Sequence, residues 1–320
     1  MKKSVIRLLL VLILLASIIL ITSCKGGVSA GQRPVDTATA LKMVQTGTQG
    51  VEIKFLQNSP PPVVYDQNEL VALVEVNNKG NYNLEGGDCF IQVSGFDPNI
   101  LKGGFGTARS CAENAGVLEG KNVYNLDGGI NQLEFKSSNI ALPQGVFDYN
   151  PVLNFVSCYV YRTTANPSVC LDPLFYQVTA EQKTCIPKDV GMGGGQGGPV
   201  GISYVAVDMM GGKAVFEINV QNFGTGRVLS PYVDIHNCGQ ASVEYTDLDK
   251  VEYYVTLSGV ALNCKPMDHV ARLNNNMGKI VCTGDLPTSS AYETPLTVDL
   301  NYGYIQSWTK PIKIVRTPGS

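Results

Sequence analysis

The feature that most constrains the fold of this chain is an internal repeat. Several short motifs occur twice, in the same order, at offsets of 143 or 144 residues. They are an alternating segment that ends in Asn-x-Gly at residues 74–80 and 218–224, Leu-Pro at residues 142–143 and 286–287, and Tyr-x-Tyr at residues 159–161 and 302–304. Each motif alone is common in β proteins, but their shared order and spacing predict two copies of one architecture.

The repeated segments have the pattern of short β-strands. Apolar and polar residues alternate along residues 51–55, 216–221 and 296–304, as in strands with one buried face. The 34 Gly and 17 Pro suit many short strands joined by turns. We therefore predict an all-β fold of two tandem immunoglobulin-like β-sandwich domains after an N-terminal signal or anchor segment, with about seven strands in each domain.

The N-terminus has the pattern of an export signal. Three positive charges lie within residues 2–7, and residues 8–21 are apolar apart from one Ser. The tetrad Ile21-Thr22-Ser23-Cys24 that follows resembles the lipoprotein box, in which a Cys is diacylated before cleavage on its amino side. This resemblance implies that residues 1–23 are removed and that the mature chain starts at Cys24 with a lipid anchor.

Two other interpretations of the N-terminus remain open. The segment is either an ordinary secretory peptide or an uncleaved membrane span over residues 5–22, which is short for crossing a bilayer. All three interpretations export the rest of the chain. The expected location is the cell membrane, with the protein lipid-anchored and facing outside the cytoplasm.

The composition also predicts the domain boundaries. We expect a signal peptide at residues 1–23, a tether at 24–49 with at most one helical turn near 37–44, a first sandwich at 50–188, a Gly-rich flexible linker at 189–199, and a second sandwich at 200–318.

The cysteines favour disulfides. Beyond Cys24 the chain contains an even number of them, as exported proteins prefer, and no C-x-x-C pair. The polar turn at residues 274–278 favours Cys264–Cys282, and a Gly-rich excursion favours Cys89–Cys111. The remaining four, whose pairing order the sequence leaves open, are Cys158, Cys170, Cys185 and Cys238. Because five of the eight precede the linker, at least one bridge must join the halves if every thiol pairs; its candidates are Cys185–Cys238 and Cys158–Cys238.

The Asn-x-Gly turn after a strand resembles a feature of CARDB-type and related immunoglobulin-like modules of archaeal and bacterial surface proteins. The wider pattern at residues 47–50 and 59–62, the Asn-x-Gly turn and residues 194–199 is similar to an uncharacterised group of exported archaeal proteins. The resemblance covers most of the mature chain and implies a surface location, but it carries no known activity. Two departures leave the topology open: the Tyr-x-Tyr strands are not a hallmark of these modules, and the Cys-Trp-Cys pattern of immunoglobulin domains is absent, with Trp308 the single Trp.

Several classes of partner are excluded. A net charge of −3 provides no basic field for nucleic acid. Two His and no C-x-x-C pair give a transition metal few ligands. The Gly-x-Gly-x-x-Gly at residues 193–198 leads into a strand and not a helix, so it is a linker and not a dinucleotide site. We expect no metal and no cofactor.

The function that fits these features is binding or scaffolding at the cell surface. The N-terminal anchor attaches the protein to the membrane, and the expected partner is a surface protein or a glycan. The Tyr-x-Tyr pairs either form a ligand-stacking surface or lie in the core. The alternative is an exported hydrolase with a site between the domains, formed by His236, Asp268 and His269. A ligand-binding lipoprotein of a transporter is disfavoured, because such proteins need α/β lobes.

Overall fold

The structure is a computed structural model and describes residues 37–178, 182–193, 195–237, 239, 243–286 and 290–318. The expected signal peptide, Cys24 and Cys238 lie outside these residues. Within them, no helix is both long enough and apolar enough to cross a membrane.

The regular secondary structure of the described chain is almost entirely β-strand, which confirms the all-β class. One helix, α1, covers Thr37–Val44, and a single 3-10 turn covers Tyr245–Asp247. The strands of the first half are β1 (Val51–Phe55), β2 (Val63–Tyr65), β3 (Leu70–Asn78), β4 (Leu84–Glu85), β5 (Cys89–Ser94), β6 (Leu101–Lys102), β7 (Arg109–Ser110), β8 (Val117–Leu118), β9 (Ile130–Ser137), β10 (Asn139–Ile140), β11 (Asp148–Tyr149), β12 (Val152–Ala165) and β13 (Ser168–Leu171). Those that follow are β14 (Val190–Gly191), β15 (Val200–Met210), β16 (Lys213–Asn222), β17 (Arg227–Leu229), β18 (Lys250–Leu257), β19 (Val260–Ala261), β20 (Asn263–Lys265), β21 (Val270–Arg272), β22 (Met277–Asp285), β23 (Tyr292–Pro311) and β24 (Lys313–Val315).

Three sheets dominate the architecture. The first half has a sheet in the order β1-β3-β9, and the second half has one in the order β14-β15-β16-β22-β20. The largest sheet has the order β19-β18-β23-β12-β5-β7, with β13 and β17 also on β23 and β21 on β18. We call it the shared sheet, because it takes strands from both halves. Smaller sheets are β10-β6, β4-β8 and β11-β24-β2, and in the last of these β2 runs parallel to β24.

The halves join through β12 and β23. All 14 residues of β12 lie opposite residues of β23, from Val152 against Pro311 to Ala165 against Val298. The main cluster of buried apolar side chains contains residues of both halves, and residues 41–320 form one compact unit. The sequence predicts two tandem domains, but in the structure the two halves share a sheet and a core. Their longest strands would otherwise be exposed edges, and pairing covers both.

The Gly-rich segment at residues 189–199 differs from the predicted flexible linker. Its β14 pairs with β15, and residues 195–199 are buried. A Cβ at Gly198 would collide with Thr163 Oγ1 and Tyr302 Oη. These glycines permit close backbone approach, a use of glycine that composition alone does not distinguish from flexibility.

The first Asn-x-Gly motif is a buried hydrogen-bond junction. Asn78 Oδ1 accepts a hydrogen bond from the Tyr161 hydroxyl at 3.0 Å and from the Gly80 amide at 3.3 Å. Its Nδ2 donates to the Tyr82 carbonyl at 2.7 Å and to the Leu118 carbonyl at 3.2 Å. One side chain thus ties the end of β3 to the shared sheet and to a loop.

The same junction occurs in the second half. Asn222 Oδ1 accepts from the Tyr304 hydroxyl and from the Gly224 amide, both at 3.1 Å. Its Nδ2 donates to the Gly226 carbonyl at 3.0 Å. Because donors and acceptors recur at the offsets found in the sequence, the repeated motifs occupy equivalent positions in the two halves.

We predict that Asn78→Ala lowers the free energy of unfolding by about 2–3 kcal/mol, because it leaves a buried hydroxyl and buried backbone groups without partners. Asn77→Ala is the matched control. Asn77 is also buried, but its Oδ1 has no hydrogen-bond partner among the described residues, so we expect a loss below about 1 kcal/mol. Urea unfolding of both variants measures the difference, and equal losses would contradict the role of the junction.

Candidate functional site

The four tyrosines of the Tyr-x-Tyr motifs meet at the centre of the shared sheet. Tyr159 lies opposite Tyr304, and Tyr161 lies opposite Tyr302. The ring centroids are 5.5 Å apart in the first pair and 6.3 Å in the second. All four side chains are buried, so of the two interpretations of these motifs the structure has the core one.

The equivalent hydroxyls of Tyr302 and Tyr159 differ in their partners. Tyr302 Oη lies 2.7 Å from Thr163 Oγ1 and accepts from the Val200 amide at 3.3 Å. Tyr159 is 0% exposed, and its hydroxyl makes no hydrogen bond of normal geometry to any described residue. The Val51 amide interacts weakly with the oxygen but, as a donor, leaves the hydroxyl proton without an acceptor.

Glycine backbone covers both tyrosines. Over Tyr302 the cover is Gly198, and over Tyr159 it is Gly50; neither position has room for a side chain. The Gly197 carbonyl, next to Gly198, accepts from the Asn81 backbone amide at 2.9 Å. Both hydroxyls are therefore closed off from solvent.

Backbone hydrogen bonds identify the equivalent cover in the other half. The Gly50 carbonyl accepts from the Lys79 amide at 2.8 Å, as the Pro199 carbonyl accepts from the Phe223 amide at 2.8 Å. Counting back one residue, Gln49 is equivalent to Gly198.

Two further equivalent positions differ on the shared sheet. Gln306 replaces Thr163, and its amide donates to Thr225 Oγ1 at 2.9 Å. Trp308 replaces Ala165. Together with Gln49, these side chains line a pocket beside the covered Tyr159.

The pocket has a volume of about 210 Å³ and an aromatic and polar lining. We call it the Tyr159 pocket; it is lined by Thr48, Gln49, Gly50, Val51, Glu52, Tyr159, Pro199, Phe223, Gly224, Thr225, Tyr304, Gln306 and Trp308. Its one charged side chain, Glu52, forms an ion pair with Lys54 at 3.3 Å. The lining therefore offers aromatic faces and hydrogen-bonding groups with little uncompensated charge.

Burial controls the acidity of the tyrosines. Loss of hydration raises the pKa of Tyr304 to about 12, against a partly offsetting hydrogen bond from the Gly226 amide. Burial likewise raises the pKa of Tyr159, Tyr161 and Tyr302 above the ordinary range. All four are held as neutral phenols, which can donate hydrogen bonds but are poor bases.

A larger groove of about 900 Å³ contains neither histidine. Among its lining residues are Asn154, Asn275, Asn276 and the ion pair of Arg227 with Asp249. Amides and a compensated charge pair offer hydrogen bonds, but they do not supply a nucleophile with an adjacent base.

The residues of the predicted hydrolase site do not come together. The His236 ring packs on Phe90 of β5, with centroids 4.4 Å apart, and the His269 ring lies 5.6 Å from Tyr253 of β18. Two strands separate β5 from β18 in the shared sheet, a distance of about 14 Å. Asp268 forms an exposed ion pair with Arg272 at 3.3 Å. No group of metal-ligating side chains occurs within the described residues.

Three disulfides are present in the described chain, and they indicate an oxidising, extracytoplasmic environment. Two join the pairs that the sequence favoured, and the third fixes a pairing that it left open. They are Cys89–Cys111, Cys264–Cys282 and Cys170–Cys185, with Cα–Cα distances of 5.3, 4.0 and 5.9 Å.

The third disulfide excludes Cys185 as the partner of Cys238. Cys158 is also disulfide-bonded, and its partner lies outside the described residues, as does Cys238. Near that position, Ile235 packs in the same cluster as Cys158, and a Cβ on Gly239 would contact the Gln92 side chain. The Cys158–Cys238 bridge stays a prediction, and these contacts favour it.

Sequence reasoning did not identify Gln49, Gln306 or Trp308 as pocket residues. The repeat itself carried the signal: aligning the halves on Asn-x-Gly and Tyr-x-Tyr shows which equivalent residues differ in size and polarity. That comparison requires the register of β12 against β23, which the sequence does not state.

We predict that the protein loses stability in alkali as pH rises from about 10 towards 12. Unfolded tyrosines ionise near pH 10, whereas the folded pKa of Tyr304 is about 12. Stability from this group is therefore fully present below pH 10, and its loss above that amounts to about 2–3 kcal/mol. Urea unfolding at several pH values, with tyrosinate absorbance, measures the loss. A free energy of unfolding that stays constant across this range would contradict the burial of the four phenols.

Comparisons with known proteins identify no family. No family model matches the chain, and no curated protein matches it. Among solved structures, the secreted serine protease VesC from Vibrio cholerae aligns over 87% of this chain and 53% of its own length, with 10% identity and a TM-score of 0.19. This chain thus spans about half the length of that protease, and a likeness at this level supports no conclusion about fold or activity.

Proposed function

We propose that this chain is an exported, lipid-anchored protein that binds or scaffolds at the cell surface and catalyses no reaction. The disulfides carry the proposal, because bridges of this kind form and persist outside the reducing cytoplasm. The lipoprotein-like tetrad that ends in Cys24 supplies the means of attachment.

The proposed architecture is a duplicated immunoglobulin-like sandwich. In the first half, Phe155 of the shared sheet packs against Phe55 of β1 and Phe135 of β9, with centroids 4.9 and 5.9 Å apart. Two sheets face each other there, as in a sandwich. The repeated Asn junctions support the same arrangement in the second half. Pairing of β12 with β23 then makes a rigid double module, which suits a scaffold.

The Tyr159 pocket supports the binding part of the proposal. It combines a concave surface, aromatic walls and convergent polar groups, which are features of small-ligand sites. Its tyrosines are neutral, the two histidines lie elsewhere, and its one carboxylate, Glu52, is paired with Lys54, so the pocket is better equipped to hold a molecule than to transform it.

We predict that the protein extracted from host membranes lacks residues 1–23 and carries acyl mass on Cys24. Cys24→Ser is expected to abolish both the acylation and the retention in the membrane fraction, because no thiol remains to accept the lipid. Intact mass and peptide mapping of the membrane and soluble fractions measure the acylation of Cys24 and the retention of the protein in the membrane.

Ser23→Ala is the matched control, since it keeps a small residue in the tetrad and is expected to leave the anchor intact. An intact Met1 with an unmodified Cys24 in the wild-type chain would contradict the lipid anchor.

A further inference from the structure

We propose that the free edge of β23 at residues 306–310 binds an extended segment of another protein, which adds to the shared sheet as an extra strand. This inference rests on the proposed function and names the class of partner that the module holds. Its basis is an unpaired sheet edge that lies between two concave surfaces.

The edge becomes free where β17 ends. On the side away from β12, β23 pairs with β18 over residues 296–301 and with β17 over residues 303–305. No described strand continues this pairing beyond Ile305. The chain before β17 turns away from β23 at this point, and the Gly226 amide donates to the Tyr304 hydroxyl at 2.8 Å.

The backbone hydrogen-bonding groups of this edge are unused. Just past β23, the Ile312 amide donates to the Pro151 carbonyl at 3.1 Å in the register of β23 against β12, so even-numbered residues bond towards β12. Backbone groups alternate between the two sides of an antiparallel strand, and therefore Ser307 and Thr309 direct theirs to the free side. Both residues are exposed, and neither backbone has a hydrogen-bond partner among the described residues. Such an edge is a template for another strand.

Two concave surfaces flank the edge. The groove of about 900 Å³ lies on the outer face of the shared sheet, and Ser307 lines it. The Tyr159 pocket, of about 210 Å³, lies on the opposite face, and Trp308 lines it. Successive side chains of a strand point to opposite faces, so an added strand would place one set in the groove and the other set beside Trp308. A free edge with recesses for alternate side chains is typical of strand addition, and it requires no contact with the covered tyrosine hydroxyls.

Charge narrows the class of segment. In the groove Arg227 is paired with Asp249 at 3.1 Å, and at the pocket Glu52 is paired with Lys54 at 3.3 Å. Neither surface therefore favours a charged side chain. The segment that fits has polar residues towards the groove and small apolar residues towards Trp308.

Other occupants fit the edge less well. The turn at residues 275–276 also lines the groove and is fixed by the Asn222 amide, which donates to the Asn276 carbonyl at 2.9 Å. This wall recesses the edge, which favours a single strand over the sheet of a second copy. The tether at residues 25–36 contains three Gly and one Pro, which disfavour a strand.

The test uses Trp308 as the reporter, because it is the single Trp of the chain and lies within the free edge. The full-length protein in detergent is titrated with peptides of about seven residues, in which Thr alternates with Ala, Val or Leu between terminal Lys residues. We expect a saturable change in tryptophan fluorescence with at least one peptide. Its Kd should be on the order of 100 µM, because a short segment loses conformational entropy on binding.

Backbone methylation of the peptide separates strand addition from other modes of binding. Only alternate residues of an added strand direct their N–H groups to β23. N-methylation of one alternate set should therefore abolish the response, and N-methylation of the other set should preserve it. This comparison requires no change in the protein.

Ser307→Pro should weaken peptide binding by about 10-fold or more, because it removes a backbone N–H that faces the partner. Proline is tolerated on a free edge, and the bonds to β12 come from the neighbouring residues. Thr164→Pro is the matched control. Thr164 is equivalent to Ser307 in β12 and also directs its N–H away from β23, but it lines neither the groove nor the pocket, so the Kd should not change.

Four results would overturn the inference: no saturable response to any peptide, equal binding of both methylated forms, equal weakening by the two proline variants, or a dimer of the peptide-free protein that Ser307→Pro dissociates. The last result would assign the edge to a second copy. Membrane attachment through Cys24 is measured independently, so a failed peptide titration leaves the surface assignment intact.

Discussion

The pairing of β12 with β23 is the interaction on which the rest of the structure depends. It is antiparallel and brings equivalent strands together, so that Tyr159 meets Tyr304 and Tyr161 meets Tyr302. Without it, each half would expose a long strand edge with buried-type side chains on one face. The pairing also decides which hydroxyls reach which asparagine, because Tyr161 and Tyr304 are presented to Asn78 and Asn222 from this seam. The shared sheet and the pocket are both consequences of this one register.

A duplicated fold provides its own reference state. Equivalent residues in the two halves have nearly the same backbone environment, so a difference between them reflects the side chains and not the architecture. Both halves have the Asn junction, which indicates that the repeated architecture requires it. The residues opposite the buried tyrosine are not the same: Thr163 bonds to Tyr302, whereas Gln306, in the equivalent place, bonds to Thr225. A difference between equivalent residues of the two halves therefore marks a position whose residue type the shared fold alone does not explain.

The sequence predicted the class of secondary structure and much of its placement, since alternation at residues 51–55, 216–221 and 296–304 corresponds to β1, β16 and β23. It failed where the outcome depends on contacts between distant segments. Residues 195–198 have the Gly-rich composition of a flexible linker, but in the structure they allow the backbone to lie close to Tyr302. The spacing of the cysteines favoured two of the pairings, yet it could not separate Cys185 from Cys158. Pocket residues such as Trp308 and Gln306 become neighbours of Tyr159 only when two strands far apart in the chain pair.

The energetics of Tyr159 show that the two halves of the repeat do not satisfy their buried tyrosines equally. A buried hydroxyl without an acceptor costs about 1–3 kcal/mol relative to a satisfied one, and a phenylalanine would fill nearly the same volume without that cost. At Tyr302, Thr163 removes the penalty within the protein itself. At Tyr159 the equivalent residue is Gln306, whose amide donates to Thr225, so the phenol proton has no acceptor among the described residues. The first half therefore retains the repeated tyrosine at a cost that the equivalent position does not carry.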